Sequence, residues 1–161
     1  MPLNYKTLDD LTIAIPDTMA LTLLVRSNKL VLDSFLAAHQ SFTITITDVV
    51  LFDVSQNAVD HNDMQMIRQF LTKYAGRIST HETQYGKMLL VAAKNAQDFD
   101  FPSDAVELSI IGYLKDVSRR PPDKPILVII EDDWFNMHTG LLLGNIQLLP
   151  VTVFLEWVQN A

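Results

Sequence analysis

Cysteine is absent from the 161 residues of this chain. That absence excludes disulfide bonds, thiolate metal sites and cysteine nucleophiles. Glycine is also scarce, with 5 residues, whereas hydrophobic residues make up 48% of the chain. This composition argues against intrinsic disorder and favours a packed domain that is rich in helices.

Long apolar runs are missing as well. The run Leu127–Ile130 is among the longest, far short of the roughly 20 residues that a membrane-spanning helix needs. The segment Met1–Asp10 is polar and has no basic stretch followed by an apolar core, so we expect no signal peptide. We therefore predict a cytoplasmic protein without membrane contact. Its length favours a single domain, residues 1–161, with a core from 11 to 158.

Basic residues are few, with 12 Lys and Arg against 19 Asp and Glu, and the net charge is −7. Phosphate binding normally depends on Lys and Arg, so this balance argues against loose, non-specific binding of nucleic acid. It does not exclude a metal-dependent nuclease, because a bound cation supplies the positive charge of its own site. Gly-rich phosphate loops, nucleophile elbows and paired metal-binding histidines are not evident.

Strand-like and helix-like patterns alternate along the chain. Short apolar or β-branched runs predict strands, and longer amphipathic stretches predict helices. The predicted strands are Leu11–Ile15, Phe42–Ile46, Ile78–Gln84, Ile126–Ile130 and Ile146–Leu149. The predicted helices follow Asp17 and Thr47 and cover Leu30–Ala38, Asp63–Tyr74, Met88–Ala93, Ser103–Leu114 and Val151–Val158. This order predicts an α/β fold, a three-layer α/β/α sandwich around a mainly parallel sheet.

Acidic residues recur where these strands end or where the following helices begin. They are Asp17, Asp53, Asp104, Glu107 and the triplet Glu131–Asp133. A parallel sheet would bring them to one edge, where carboxylates repel one another unless a cation lies among them. Oxygen ligands without a Cys–His cluster point to Mg²⁺ or Mn²⁺. Such a site supports metal-assisted cleavage of phosphodiesters.

Each acid also has a purely structural interpretation. Asp17 is well placed to stabilise a helix N-terminus, and Asp104 and Glu107 fit ordinary capping chemistry on one helix face. Asp48 is expected to be only a first-turn carboxylate beside its cap, Thr47. The agreement of four separate segments favours the functional interpretation of the set.

Several segments resemble the PIN domain, the ribonuclease fold of the toxins in VapBC-type toxin–antitoxin pairs and of several RNA-processing nucleases. The resemblance spans residues 11 to 158. It is carried by Ile13–Thr18, Asp48–Asp53, Asp104–Ile110, Val128–Asp133 and the tail Asn145–Trp157. Glu107 matches the acidic residue of the family's third motif. The acidic residues Glu131–Asp133 follow the predicted strand Ile126–Ile130, as the family's last acidic residue follows its final strand.

Three positions depart from the family's pattern. Asp53 replaces the usual Glu and is one methylene shorter, Val106 replaces a customary Gly, and Met19 stands where a small polar residue is common. The shorter Asp53 would contact a metal through water more readily than directly.

The resemblance implies an endoribonuclease that hydrolyses RNA with Mg²⁺ or Mn²⁺. The implied catalytic residues are Asp17, Asp53, Glu107 and Asp132, with Asp104 and Asp133 as further metal ligands. Thr18 is a further candidate for substrate binding. The compact basic pairs Arg26 with Lys29 and Arg119 with Arg120 are candidates for binding RNA phosphates, with solvated surface charge as the alternative. The implied partners are RNA, a cognate antitoxin protein and a second copy of the chain. The apolar faces Leu30, Val31, Phe35 and Met66, Ile67, Phe70, Leu71 are consistent with that homodimer.

Two alternatives stay open. The net charge, Asp53 and Val106 are compatible with a non-catalytic PIN-like scaffold that binds a partner protein. A phosphatase-like or receiver-like α/β domain is less favoured, because the lysine expected after a late strand is not evident.

Overall fold

A computed structural model describes residues 13–56, 61–96, 98–118, 126–130, 133–138 and 146–160. Strands and helices alternate through these ranges. The strands are β1 (Ile13–Pro16), β2 (Thr43–Thr47), β3 (Ile78–His81), β4 (Ile126–Ile129) and β5 (Ile146–Leu149). The helices are α1 (Thr18–Arg26), α2 (Lys29–Ala38), α3 (Asp48–Gln56), α4 (His61–Lys73), α5 (Gln84–Asn95), α6 (Ala105–Ser118), α7 (Trp134–Met137) and α8 (Val151–Asn160).

The strands form one five-stranded sheet in the order β3-β2-β1-β4-β5, and every pair is parallel. Helices flank the sheet, so the predicted three-layer α/β/α sandwich is confirmed. The chain builds outward from β1 to β3 in one direction and then returns to add β4 and β5 on the other side of β1. The order therefore reverses between β1 and β4. In open α/β sheets, ligands bind outside the carboxyl ends of the strands at this reversal.

The neighbouring strands β1 and β4, between which the order reverses, have the sequences that a buried position requires. All four residues of β4, Ile126–Ile129, are buried, and they pair in register with Ile13–Pro16 of β1. A strand covered by helices on both faces reads as a continuous apolar run, which is why β4 was clear from the sequence. The edge strand β3 carries the polar residues Ser79 and Thr80, both exposed.

The main core lies between the sheet and helices that pack on one another, α2 on α8 and α1 on both α3 and α4. Phe35 of α2 and Phe154 of α8 meet edge to face with ring centroids 6.2 Å apart. Leu21 and Leu24 of α1 are completely buried. Within the described residues, no helix is both long and apolar enough to cross a bilayer.

Some predicted boundaries differ from the observed ones. Helix α5 begins at Gln84, four residues before the predicted Met88, because the Thr83 hydroxyl accepts a hydrogen bond from the Gly86 N–H at 2.9 Å and caps the helix. The predicted strand Ile78–Gln84 accordingly ends earlier, at His81. Helix α7 was not predicted, since a single turn has no apolar periodicity.

Candidate functional site

A cavity of about 490 Å³ at the carboxyl edge of the sheet is lined by three of the predicted acids, Asp17, Asp53 and Glu107. They come from three different elements and are far apart in the sequence. Asp17 directly follows β1, and its backbone N–H donates to Ile129 O of β4 at 2.9 Å. This bond places Asp17 at the reversal between β1 and β4, where the fold favours ligand binding.

Asp17 has a structural role as well as a place in the cavity. It is the N-cap of α1, and its Oδ1 accepts a hydrogen bond from the Ala20 N–H at 2.7 Å. Its side chain is buried, with 6% of the residue exposed. The capping interpretation and the site interpretation of this acid are therefore compatible, because one carboxyl group serves both.

Asp53 is held in place by the neighbouring helix α1. The Thr18 hydroxyl donates to Asp53 Oδ2 at 2.6 Å, across 35 residues of sequence. Both residues line the cavity. Thr18 was predicted to bind substrate. In the structure, its hydrogen bond to Asp53 fixes the orientation of both side chains. This hydrogen bond gives the shorter Asp53 side chain a defined position.

Glu107 lies in the first turn of α6, where the helix dipole favours a negative charge, and only 7% of the residue is exposed. The helix is fixed against the start of α3 by a buried hydrogen bond of 2.8 Å between the hydroxyls of Thr47 and Ser109. Thr47 also accepts from the Val50 N–H at 3.4 Å, as expected for a cap. The hydrogen bond between Thr47 and Ser109 holds α6 against α3 and so brings Glu107 and Asp53 to the same cavity.

The face of α1 toward the cavity repeats at the helical period. Thr18, Thr22 and Arg26 are successive residues of one i, i+4, i+8 row, and all three line the cavity. Arg26, a predicted substrate residue, thus lies on the cavity wall. Thr22 was missed, although its spacing from Thr18 and Arg26 is visible in the sequence.

The family departures Met19 and Val106 also line this cavity. Met19 is 56% exposed and adds an apolar side chain to the lining. Val106 adds a second apolar side chain, branched at Cβ, to the same lining. Both narrow a space that small residues would leave open.

Asp104 lies one residue before helix α6 and is not among the residues that line the cavity with Glu107. Helix α6 begins at Ala105, and the Asp104 carbonyl accepts its first hydrogen bond, from Leu108 N at 2.9 Å. The Asp104 charge acts instead on Tyr85: burial, and then this neighbouring charge, raise the pKa of the Tyr85 phenol. Asp104 is not among the described residues that line the cavity.

Asp133 is also away from the cavity lining. It is exposed and precedes α7, with no side-chain capping hydrogen bond. The remaining predicted residues Asp132, Arg119 and Arg120 lie outside the described residues. The fourth acid and the second basic pair of the predicted site therefore stay predictions.

The donor chemistry of the cavity fits a hard dication, because the acids Asp17, Asp53 and Glu107 and the Thr18 hydroxyl offer oxygen atoms only. The acidic side chains do not, however, approach one another closely enough to surround an ion. Among the described residues, no three His, Cys, Asp or Glu side chains come close enough together to hold a metal ion. The three acids therefore line one cavity, but their side chains alone do not form a complete set of metal ligands.

Asp48 has a larger role than the predicted first-turn carboxylate. Its Oδ1 accepts from the Val49 N–H and from the Thr83 hydroxyl, each at 3.0 Å, and its Oδ2 accepts from the Thr83 N–H at 3.2 Å. Asp48 thus joins the start of α3 to the start of α5. Sequence reasoning missed this link because the two residues are 35 positions apart.

No protein-family model matches this chain, and none of the curated proteins compared with it matches its sequence. What the cavity does therefore has to be argued from its own residues.

Proposed function

We propose that this chain is a metal-dependent ribonuclease that hydrolyses RNA phosphodiester bonds. The observation that carries the proposal is the convergence of Asp17, Asp53 and Glu107 on one cavity at the strand-order reversal. Carboxylates gathered in one place destabilise a protein by mutual repulsion unless they serve a cation. The similarity of the surrounding segments to PIN-domain motifs supports RNA as the substrate.

The residues of the cavity divide into groups with different tasks. Asp17, Asp53 and Glu107 would hold Mg²⁺ or Mn²⁺, together with Asp132 after β4. A bound dication activates water as the nucleophile and offsets charge on the leaving oxygen. The Thr18 hydroxyl positions Asp53, to which it donates at 2.6 Å. Arg26 on the cavity wall is a cation suited to a substrate phosphate. No side chain has to act as a nucleophile.

The test is cleavage of total RNA by the purified protein in Mn²⁺ or Mg²⁺, with and without EDTA. Asp17→Asn and Glu107→Gln should each abolish EDTA-sensitive cleavage. Asn is as good a helix N-cap as Asp, so Asp17→Asn keeps the cap of α1 while it removes the charge. Asp98→Asn is the matched control, because it neutralises an exposed acid that is not among the residues lining the cavity and should cleave like the wild type.

Two further readouts separate lost chemistry from lost folding. The effects of replacing metal ligands that act as one unit are not additive. The double variant Asp17→Asn/Glu107→Gln should therefore cleave no less RNA than either single variant. Mn²⁺ should raise the melting temperature of the wild type by mass action, and Asp17→Asn should melt higher without metal and respond less to it. A wild-type protein that shows no EDTA-sensitive cleavage and no metal response would contradict the proposal.

A second candidate is a non-catalytic scaffold that binds a partner protein. It is favoured by the incomplete convergence of the acids, since no three of them among the described residues approach metal-binding geometry. A partner such as a cognate antitoxin would then be the ligand, and neutralising Asp17 would leave binding unchanged. Binding that survives Asp17→Asn, in a protein without cleavage, would favour this candidate.

A homodimer remains part of the proposal. The exposed apolar surface that would support it is smaller than the sequence predicted. Phe35, Ile67 and Phe70 are buried in the main core of a single chain. Leu30, which is 75% exposed, and Met66, which is 38% exposed, are the residues of those two faces with exposed side chains. Light scattering at tens of micromolar protein would measure the assembly.

A further inference from the structure

The hydroxyl groups that line the cavity at the strand-order reversal differ in whether their protons are already used. The Thr18 hydroxyl donates to Asp53 Oδ2 at 2.6 Å, and the Thr22 hydroxyl donates to Thr18 O at 2.9 Å. The Ser103 hydroxyl also lies in the lining, but within the described part of the chain it has no hydrogen-bond partner. The proton of Ser103 is therefore available to a ligand in the cavity.

Helix capping does not account for this serine. The sequence predicts a helix from Ser103, but α6 begins at Ala105, and the Ala105 N–H donates to Pro102 O at 3.1 Å. A capping serine would accept a hydrogen bond from an N–H of the first helical turn, and the Ser103 side chain accepts none from the described residues. Ser103 is also exposed, so burial does not explain its position either.

The cavity offers many hydrogen-bond acceptors and few donors. Ionised carboxylates only accept hydrogen bonds, and Asp17, Asp53 and Glu107 all line the cavity. The non-bridging oxygens of a phosphodiester are acceptors as well, so a phosphate in this space needs a cation and hydrogen-bond donors. A dication held by the acids can meet one of these oxygens. The other oxygen needs a donor from the protein.

Among the described residues of the lining, Arg26 and Ser103 are the side chains suited to that task, because the hydroxyl protons of Thr18 and Thr22 are already used. Arg26 is in the last turn of α1, eight residues beyond Thr18 and about 12 Å farther along the helix axis. Ser103 is only four residues before Glu107, at the start of the helix that carries this acid. Ser103 therefore suits the phosphate at the acids, and Arg26 suits a neighbouring phosphate of the strand.

We propose that the Ser103 hydroxyl donates a hydrogen bond to a non-bridging oxygen of the phosphate that is cleaved. The inference rests on the proposed ribonuclease function and adds a substrate-binding residue to it. Ser103 does not act as a nucleophile. Water supplies the oxygen that bonds to phosphorus and the proton that the leaving oxygen takes up, so the serine is unchanged by the reaction. Its hydrogen bond offsets charge on the phosphate oxygen.

Three variants isolate this hydroxyl. Ser103→Ala removes it, and Ser103→Thr keeps it while adding one methyl group. Ser34→Ala is the matched control, because it removes the hydroxyl of another exposed serine that is not among the residues lining the cavity. The melting temperature of Ser103→Ala should equal that of the wild type, since the hydroxyl makes no hydrogen bond with the described residues.

The cleavage assay uses a single-stranded RNA with one mapped cleavage site. Ser103→Ala should cleave it about tenfold more slowly than the wild type, a loss equivalent to about 1.4 kcal/mol. Ser103→Thr and Ser34→Ala should cleave it at nearly the wild-type rate. Equal rates for Ser103→Ala and the wild type would overturn the inference and leave the proposed ribonuclease function standing.

Sulfur substitution at the same site identifies the atom that Ser103 contacts. Sulfur accepts hydrogen bonds more weakly than oxygen, so one of the two phosphorothioate isomers should slow the wild type equally in Mg²⁺ and in Mn²⁺. The same isomer should not slow Ser103→Ala further. A sulfur effect at a metal-bound oxygen differs, because Mn²⁺ accepts sulfur better than Mg²⁺ and relieves it. A sulfur effect that Mn²⁺ does not relieve and that persists in Ser103→Ala would also overturn the inference.

RNA binding separates this inference from the proposed function. A wild type that cleaves no RNA contradicts the proposed function, and fluorescence anisotropy of a labelled single-stranded RNA in Ca²⁺ then decides the role of Ser103. Ca²⁺ takes oxygen ligands in a more flexible geometry than Mg²⁺, so it can occupy the acids without supporting cleavage. Ser103→Ala should bind this RNA about tenfold more weakly than the wild type and Ser103→Thr. Equal binding by Ser103→Ala, or no binding by the wild type, would overturn the inference.

Discussion

Arg77 is the residue whose replacement should test the architecture most directly. It precedes β3, and its guanidinium donates to three backbone carbonyls, one in the last turn of α2 and two in the segment that joins α2 to β2. Nη1 donates to Leu36 O at 2.7 Å, Nε and Nη2 donate to Phe42 O at 2.9 and 2.7 Å, and Nη2 also donates to His39 O. The carbonyls near the end of α2 have no partner in their own helix.

Arg77→Met keeps most of the aliphatic stem and removes every donor. Hydrogen bonds to a charged group contribute about 1.5–3 kcal/mol each, and bonds that share one side chain are not additive. We therefore expect a loss of about 2–4 kcal/mol. Arg77→Lys should lose about half as much, because an ammonium group is a point charge that cannot reach three carbonyls with the planar geometry of a guanidinium.

The assay is urea denaturation followed by circular dichroism. The midpoint should fall in the order wild type, Arg77→Lys, Arg77→Met, with the slope m unchanged. Lys94→Met is the control: it removes a basic residue from the exposed last turn of α5 and should cost less than about 0.5 kcal/mol. An Arg77→Met variant within about 0.5 kcal/mol of the wild type would refute this account of the α2–β2 connection.

Two further predictions concern other contacts between elements. A Cβ atom at Gly86 would lie 2.2 Å from Asp48 Oδ2, so Gly86→Ala should lower the free energy of unfolding by about 1 kcal/mol in urea melts. The same change in an Asp48→Ala background should be stabilising instead, since Ala favours helix over Gly by about 1 kcal/mol. The pKa of Asp33 is lowered, chiefly by its hydrogen bond from Lys73. Asp33 therefore contributes stability above its unfolded pKa of about 4 and loses it as pH falls through the lower folded pKa. Urea midpoints from pH 2 to 7 should fall less steeply below pH 4 in Asp33→Asn, and a parallel pH profile would contradict this assignment.

The order of elements was predictable because each element carries a local signal. The apolar run Ile126–Ile129 and the run Ile146–Leu149 identified their strands, and alternation with helices required a parallel sheet. Asp17 was predictable in the same way, since Pro16 ends β1 and an acid after it suits a helix start.

The composition of the candidate site was less predictable, because it depends on contacts between distant segments. Asp104 and Glu107 are three residues apart and were both predicted as metal ligands, but of the two only Glu107 is among the residues that line the cavity. The helix starts between them, at Ala105, and a sequence pattern locates a helix start only to within one or two residues. The bond between Thr18 and Asp53 spans 35 residues, so no local signal indicates it.

Some acids of this chain stabilise the fold and others line the cavity. Their hydrogen-bond partners and burial distinguish the two groups better than their distance from a strand end does. Asp48 has both oxygens engaged by groups of Val49 and Thr83, so its removal should mainly weaken the junction of α3 and α5. Glu107 lies almost buried in a cavity that Asp17 and Asp53 also line, and carboxylates brought together in this way would repel one another without a cation. Asp17 belongs to both groups, and Asn in its place keeps the cap while it removes the charge. A set of acids whose neutralisation leaves the fold as stable or makes it more stable is retained for binding or chemistry.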